Sequence, residues 1–195
     1  MTRKVEGMRL VVPDKHKPYH CPRFEAIEFQ LIQKFKNDLV GYVNLGDLLD
    51  NPQCGTYPKA PRDMQDLKRD IDDCVVPYLD QIEREMPKDS EIDLLEGNHC
   101  DRLRRYVLSK AKDIVGLVST IPREYSLAER NKRGRQVWRW HPLDKWNSCH
   151  IGDTIFHHGI YYDKHTAGNN LTRYSGYNFI QGHTHRKQHV SNGRH

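Results

Sequence analysis

Three apolar runs, Met8–Val12, Leu39–Leu45 and Ile92–Leu95, are each followed by a helical pattern, and this alternation is what most limits the folds open to the chain. After the first run, Phe24, Ile27, Leu31 and Phe35 recur at helical spacing and predict a helix over Phe24–Phe35. The second run leads straight into Gly46-Asp47, Asn51-Pro52 and Cys54-Gly55 mark a loop, and Met64–Ile82 reads as a long charged helix. The third ends at Gly97 and precedes a helix over Arg102–Leu117, whose apolar positions are Leu103, Tyr106, Val107, Ile114 and Leu117. The amino-terminal half is therefore βαβαβα. Further along, Gln136–Trp140, Ile151–Phe156 and Asn178–Ile180 read as strands and Thr166–Tyr174 as a short helix, with Ile121–Arg135 as the main excursion. The expected class is α/β, a mixed sheet or a pair of sheets covered by helices.

With 195 residues the chain suits one domain with a real core. Hydrophobic residues at 36% and charged ones at 29% argue against wholesale disorder. A mean hydropathy of -0.86 predicts a very polar surface. The start of the chain does not resemble a secretory signal, and no segment is long and apolar enough to span a bilayer, so no membrane partner is expected. Five cysteines, Cys21, Cys54, Cys74, Cys100 and Cys149, form an odd set without a CxxC pair. That argues against a disulfide framework or a zinc ribbon and favours a reducing, cytoplasmic setting.

Short polar clusters follow the strand candidates, where open α/β sheets place their ligands. Asp14-Lys15-His16 sets two metal donors one residue apart, so that in extended chain both leave the same side. A carboxylate with an imidazole suits zinc, manganese or iron better than magnesium or calcium. Gly46-Asp47-Leu48-Leu49-Asp50 puts a carboxylate on a tight turn, where it can bridge two cations; a helix N-cap would equally explain Asp47. Gly97-Asn98-His99 opens the third predicted helix, where free N–H groups favour an anion and His99 can donate a proton. Of the twelve histidines, His157, His158, His165, His183, His185 and His189 crowd into the end of the chain, a density that scattered surface residues do not explain. Two basic stretches, Arg102–Arg105 and Arg130–Arg135, read either as solvated surface or as contacts to a polyanion.

In chain order, Asp-x-His, Gly-Asp-x-x-Asp, Gly-Asn-His, His-Gly and Gly-His-x-His resemble the calcineurin-like metallophosphoesterase superfamily, over positions 14 to 185. The resemblance implies a sandwich of two mixed sheets flanked by helices. It implies two divalent metal ions, manganese first, with iron, zinc, nickel or cobalt as alternatives. Asp14, His16, Asp47 and His185 would hold one ion, and Asp47, Asn98, His158 and His183 the other, with Asp47 as the bridge. His158 is preferred to its neighbour His157 because the family's block is a His directly before Gly. His99 would contact the phosphate as catalytic acid, and Asn98, His99 and Arg102 would meet the substrate.

Cys100 stands where the family usually has an acidic residue, which removes a carboxylate that could orient its neighbours; Cys100 itself reads as a packed thiol. The family usually continues with further strands past the position of His185, which leaves a minimal member or a chain lacking its last strands. Gly97–Arg105 and Gly159–Arg186 also resemble the small metallophosphoesterases of phages and prophages. The expected activity is metal-dependent hydrolysis of a phosphate ester, with nucleic acid or a nucleotide as the favoured partner. A phosphomonoesterase or protein phosphatase is the alternative, and a non-catalytic metal-binding scaffold is the rival from another class.

Overall fold

A computed structural model of the chain describes residues 6–56, 66–118, 120–143, 148–159 and 163–191. Its first sheet has four strands, β1 (Met8–Val12), β2 (Leu39–Asn44), β3 (Glu91–Leu95) and β4 (Val137–His141), in the order β1-β2-β3-β4 and parallel throughout. Parallel neighbours require crossovers. These are α1 (Pro22–Lys34), the run α2 (Leu67–Asp70) to α3 (Val76–Glu85), and α4 (Arg102–Lys110) with α5 (Ile121–Glu124) and α6 (Leu127–Lys132). The second sheet has three strands, β5 (Cys149–Ile151), β6 (Thr154–His157) and β7 (Asn178–Gln181), with β5 antiparallel and β7 parallel to β6. A final helix, α7 (Thr166–Arg173), precedes β7.

Strand alternation decides what each face meets. Tyr42, Ile92, Leu94 and Trp138 face the crossover helices and join Phe29, Ile32, Leu79, Ile82 and Tyr125 in the larger core. Val43, Leu45 and Leu95 point the other way and pack on Cys149, Ile151 and Phe156 of the second sheet. The outer side of that sheet is covered from α7, where Tyr174 stacks on Phe179 with ring centroids 4.6 Å apart and Asn170 donates to Gln181. The layers run helices, parallel sheet, mixed sheet, helix. The two-sheet expectation holds, but only the second sheet is mixed.

Four local expectations need correction. The buried face of α1 is Glu28, Phe29 and Ile32, whereas Phe24 is 72% exposed and Ile27 and Leu31 also face outward. Glu28 belongs inside because the Tyr42 and Tyr78 hydroxyls donate to it at 2.9 and 2.6 Å and Lys15 pairs with it. Among the described part of Met64–Ile82, α2 begins at Leu67 and passes through a π turn, Ile71–Val75, into α3; residues 64 and 65 lie outside the described residues. Pro77 explains the widened turn, since it has no N–H to return to the preceding turn. The third helix stops at Lys110 and continues only as a 3₁₀ turn, Lys112–Leu117, which leaves Leu117 85% exposed. Ile151–Phe156 is not one strand but the hairpin of β5 and β6, turning at Gly152-Asp153.

The segment Ile121–Arg135, expected as an excursion, is instead built into the core through Ile121, Tyr125 and Leu127. Arg130 is almost fully buried, donating to Glu83 at 2.6 Å and Asp80 at 2.7 Å, with its guanidinium 5.1 Å from the Trp138 ring centroid. Arg133 grips the same Glu83 at 2.7 Å. This segment leads into the amino-terminal end of β4, so its charges are spent on internal pairs at the opposite end of the sheet from the polar clusters. Removing one partner of a buried pair leaves an uncompensated charge. Arg130→Ala is therefore expected to cost about 3 kcal/mol, the low end of the range because Glu83 keeps Arg133. A urea unfolding curve measures this, and an unchanged midpoint would contradict it.

On the other face of the parallel sheet, Glu91 sits between Arg9 at 2.7 Å and Arg139 at 2.8 Å. Burial pushes its carboxyl up, but the Arg139 and Arg9 guanidiniums outweigh this and hold it below the usual carboxylate range. A depressed folded-state pKa gives stability that is present above the unfolded value and lost as pH falls through the folded one. Glu91→Gln should thus be less stable than the parent at neutral pH, and the gap should close in acid. Thermal melts across an acid series read this directly.

Candidate metal centre

Each polar cluster lies just past the carboxyl end of a strand: Asp14 and His16 after β1, Asp47 and Asp50 after β2, Asn98 and His99 after β3, His158 after β6, His183 and His185 after β7. The parallel direction of these strands brings all of them to one edge. The backbone there is strained, with His16, Asp47, His183 and His185 all in the left-handed region at φ of 51, 47, 67 and 50°. The extended geometry expected for Asp14 and His16 is thus replaced by a left-handed turn, yet the side chains still meet.

They meet in two groups. Asp14, His16 and His185 form one, with His16 Nε2 3.2 Å from His185 Nε2 and His185 Nε2 3.9 Å from Asp14 Oδ2. Asp47, His158 and His183 form the other, with His158 Nε2 3.2 Å from Asp47 Oδ2 and 2.8 Å from Asn98 Oδ1. Asp47 Oδ2 is also 3.9 Å from His16 Nε2, so its carboxylate stands between the groups. Its other oxygen accepts the His99 N–H at 2.8 Å, so Asp47 ties the β2 and β3 turns together and is no helix cap. For the same reason the His99 N–H is already engaged; Asn98 and His99 lie in a turn ahead of α4, not in its first turn. Gly97 is required where it stands, because a Cβ there would fall on the Asp47 carboxylate, and one at Gly46 on the His158 ring.

His158, not His157, faces this edge. Alternation along β6 turns His157 to the outer side of the sheet, where it lies over Phe179 and accepts the Gly159 N–H at 2.9 Å. His158 Nδ1 donates to the Leu45 carbonyl at 2.9 Å, so the neutral ring carries its lone pair on Nε2. That lone pair faces the oxygens of Asp47 and Asn98, neither of which can donate to it. With the ring neutral these three atoms are all acceptors, and either a proton on Nε2 or a bound cation satisfies them. Asp14 Oδ1 is buried and makes no hydrogen bond among the described residues, although the His183 N–H serves its other oxygen at 2.8 Å.

The protonation shifts follow from this crowding of charges. Burial pushes the Asp47 carboxyl up, but His158 and His99 overcome it and lower it. Burial disfavours a charged His158, but Asp47 and Asp14 raise it. Burial and the neighbouring His158 keep His183 low and neutral, as a ligand imidazole must be. Asp14 stays raised, chiefly by burial. The carboxylate, amide-oxygen and imidazole donors at this edge could hold borderline divalent ions.

Asp50 is the residue that reading the sequence left out of the site. Its Oδ1 accepts from His16 Nδ1 at 2.8 Å and His99 Nδ1 at 2.7 Å, and these two imidazoles hold its carboxyl far below the usual range against burial. The signal was the second Asp of the Gly-Asp-x-x-Asp block. Asp50 also supplies the orienting carboxylate whose loss Cys100 implied. Cys100 is buried and its thiol is pushed up to about 12 by burial, which leaves it inert at neutral pH. Asp101 turns away to Arg104 and Arg105, at 2.6 and 3.0 Å. Arg102 donates to the Asp50 carbonyl at 2.9 Å and reaches His99 Nε2 at 3.2 Å. Arg105 donates to the Asn98 carbonyl at 2.7 Å.

No protein-family model, curated protein or solved structure gives a significant match to the chain. Among the described residues no helix is long and apolar enough to cross a membrane.

Proposed function

We propose that the chain is a two-metal phosphoesterase of the calcineurin-like kind, acting on a phosphodiester. The observation that carries this reading is the meeting at one edge of two donor groups, Asp14, His16 and His185 and Asp47, His158 and His183, with the Asp47 carboxylate between them and His158 Nε2 against Asn98 Oδ1. Asp14, His16, Asp47 and His185 would hold one ion and Asp47, Asn98, His158 and His183 the other. Manganese is the first ion to supply, ahead of iron, zinc, nickel and cobalt. When bound, such a pair polarises phosphoryl oxygens and lowers the pKa of water.

The remaining work falls to the chain. His99, held through Nδ1 by Asp50 and met at Nε2 by Arg102, would serve the leaving oxygen. Arg102, already at that nitrogen, supplies two-pronged donors for a phosphate. Arg104 and Arg105, with side chains more than half exposed beside this turn, extend the positive surface along a longer anion, which favours a diester over a small monoester. The Arg130–Arg135 segment contributes nothing to this reading, since it lies ahead of the amino-terminal end of β4, at the opposite end of the sheet from this turn.

The deciding experiment strips the protein with chelator, reloads it with each ion in turn, and measures bound metal alongside turnover of an activated aryl diester and monoester. Two manganese per chain with preferred diester turnover is the expected result. Metal binding without turnover of any ester, nucleotide or nucleic acid would instead mark a non-catalytic scaffold. Faster monoester turnover, with no DNA or RNA binding at low salt, would reject the diester.

A further inference from the structure

We propose a second metal site, separate from the edge cluster, in which Asp93, His141 and Cys149 hold a zinc-type ion between the two sheets. The donor atoms of these three lie within 4.8 Å of one another. They come from three strands: Asp93 from β3, His141 from the end of β4 and Cys149 from the start of β5. The alternation that turns Leu95 toward the second sheet turns Asp93 the same way, and His141 is in register with Leu95. Cys149 comes to meet them from the facing sheet. Asp93 and Cys149 are both 0% exposed.

The chemistry of the set is specific. A thiol, an imidazole and a carboxylate together select zinc or a similar ion over magnesium, calcium or manganese. Zinc–donor lengths place tetrahedral donors roughly 3.3–3.7 Å apart. The 2.8 Å contact between His141 Nε2 and Asp93 Oδ1 need open by less than about 1 Å to admit the ion. Arg139 Nη1 stands 3.9 Å from Asp93 Oδ1, but the Arg139 guanidinium is anchored on Glu91 at 2.8 Å. Three protein donors leave a fourth position for water. No residue is shared with the edge cluster, and the spacing 93, 141, 149 has no sequence-local signature, so the absence of a CxxC pair did not exclude it. An ion here would clamp the parallel sheet to the mixed one, so metal affinity becomes stability of the sandwich.

Cobalt is the reporter, because a thiolate ligand gives it a near-ultraviolet charge-transfer band that oxygen and imidazole ligands do not. The metal-stripped full chain titrated with Co²⁺ should develop that band, keep it in Asp47→Ala and lose it in Cys149→Ser. Zinc added to the cobalt form should bleach it. Absence of the band from the parent protein, or its persistence in Cys149→Ser, overturns the proposal. Should Cys149→Ser fail to fold, Asp93→Asn answers the same question: cobalt affinity read at the band should fall at least about tenfold. Unchanged affinity there would mean that the thiol binds cobalt without Asp93, and the site as drawn would be wrong.

Discussion

Asp47→Ala is expected to release metal from both halves of the edge cluster and to lower phosphoester turnover by at least about a thousandfold. The carboxylate stands between the two groups, 3.2 Å from His158 Nε2 and 3.9 Å from His16 Nε2, and is the residue assigned to both ions. It also accepts the His99 N–H at 2.8 Å, so its loss frees the turn that carries His99. Metal-borne stabilisation of transition-state charge is worth several kcal/mol, and each 1.36 kcal/mol is about tenfold in rate. Metal content by elemental analysis and turnover of an aryl diester test this together. Two retained ions with full activity would remove Asp47 from the bridging position and with it the proposed mechanism.

His99→Asn should separate chemistry from binding. Among the described residues, residue 99 bonds Asp47 through its backbone N–H, which Asn keeps. The imidazole itself points to Asp50 and Arg102. Metal stoichiometry should therefore stay unchanged, while turnover drops on the order of 10²–10⁴-fold, the usual effect of removing a positioned acid. A protein that loses an ion instead would make His99 a ligand, in line with its place in the group His16, Asp50 and His99. The drop should be smallest for esters with good leaving groups, which need no proton.

The strands and their order along the chain were legible because apolar runs between polar turns are a one-dimensional signal. The edge residues were legible for a related reason: each follows its strand within a few positions, so placing the strands places the clusters. Helix faces were not. The rows Phe24, Ile27, Leu31 and Ile114, Leu117 have helical spacing yet lie outside, while Glu28 and Arg130 lie inside. A charge becomes an interior residue only through partners distant in sequence, Tyr42 and Tyr78 for Glu28, Asp80 and Glu83 for Arg130, and periodicity cannot see them. Asp50 was missed because its task is to orient His16 and His99, and that role exists only once three turns have met. The Arg130–Arg135 stretch misled for the opposite reason, since its charges look like surface until the folded chain neutralises two of them.

The edge cluster reaches from Asp14 to His185, and the hydrogen bond from the His183 N–H to Asp14 spans 169 residues. At a synthesis rate of 5–20 residues per second, the first donors leave the ribosome roughly ten to thirty seconds before the last. Between the emergence of Asn98 and that of His158, Asp14, His16, Asp47 and Asn98 can assemble on β1, β2 and β3, while His158, His183 and His185 are still to come. A nascent chain therefore carries half of a cation site with the carboxylates in place and most of the imidazoles missing. Such a half-site favours hard, oxygen-seeking ions, and its preference moves toward softer ones only as the histidine-rich end emerges. If the edge takes up metal as proposed, the first ion to occupy it would be set by the order of translation as well as by the finished geometry.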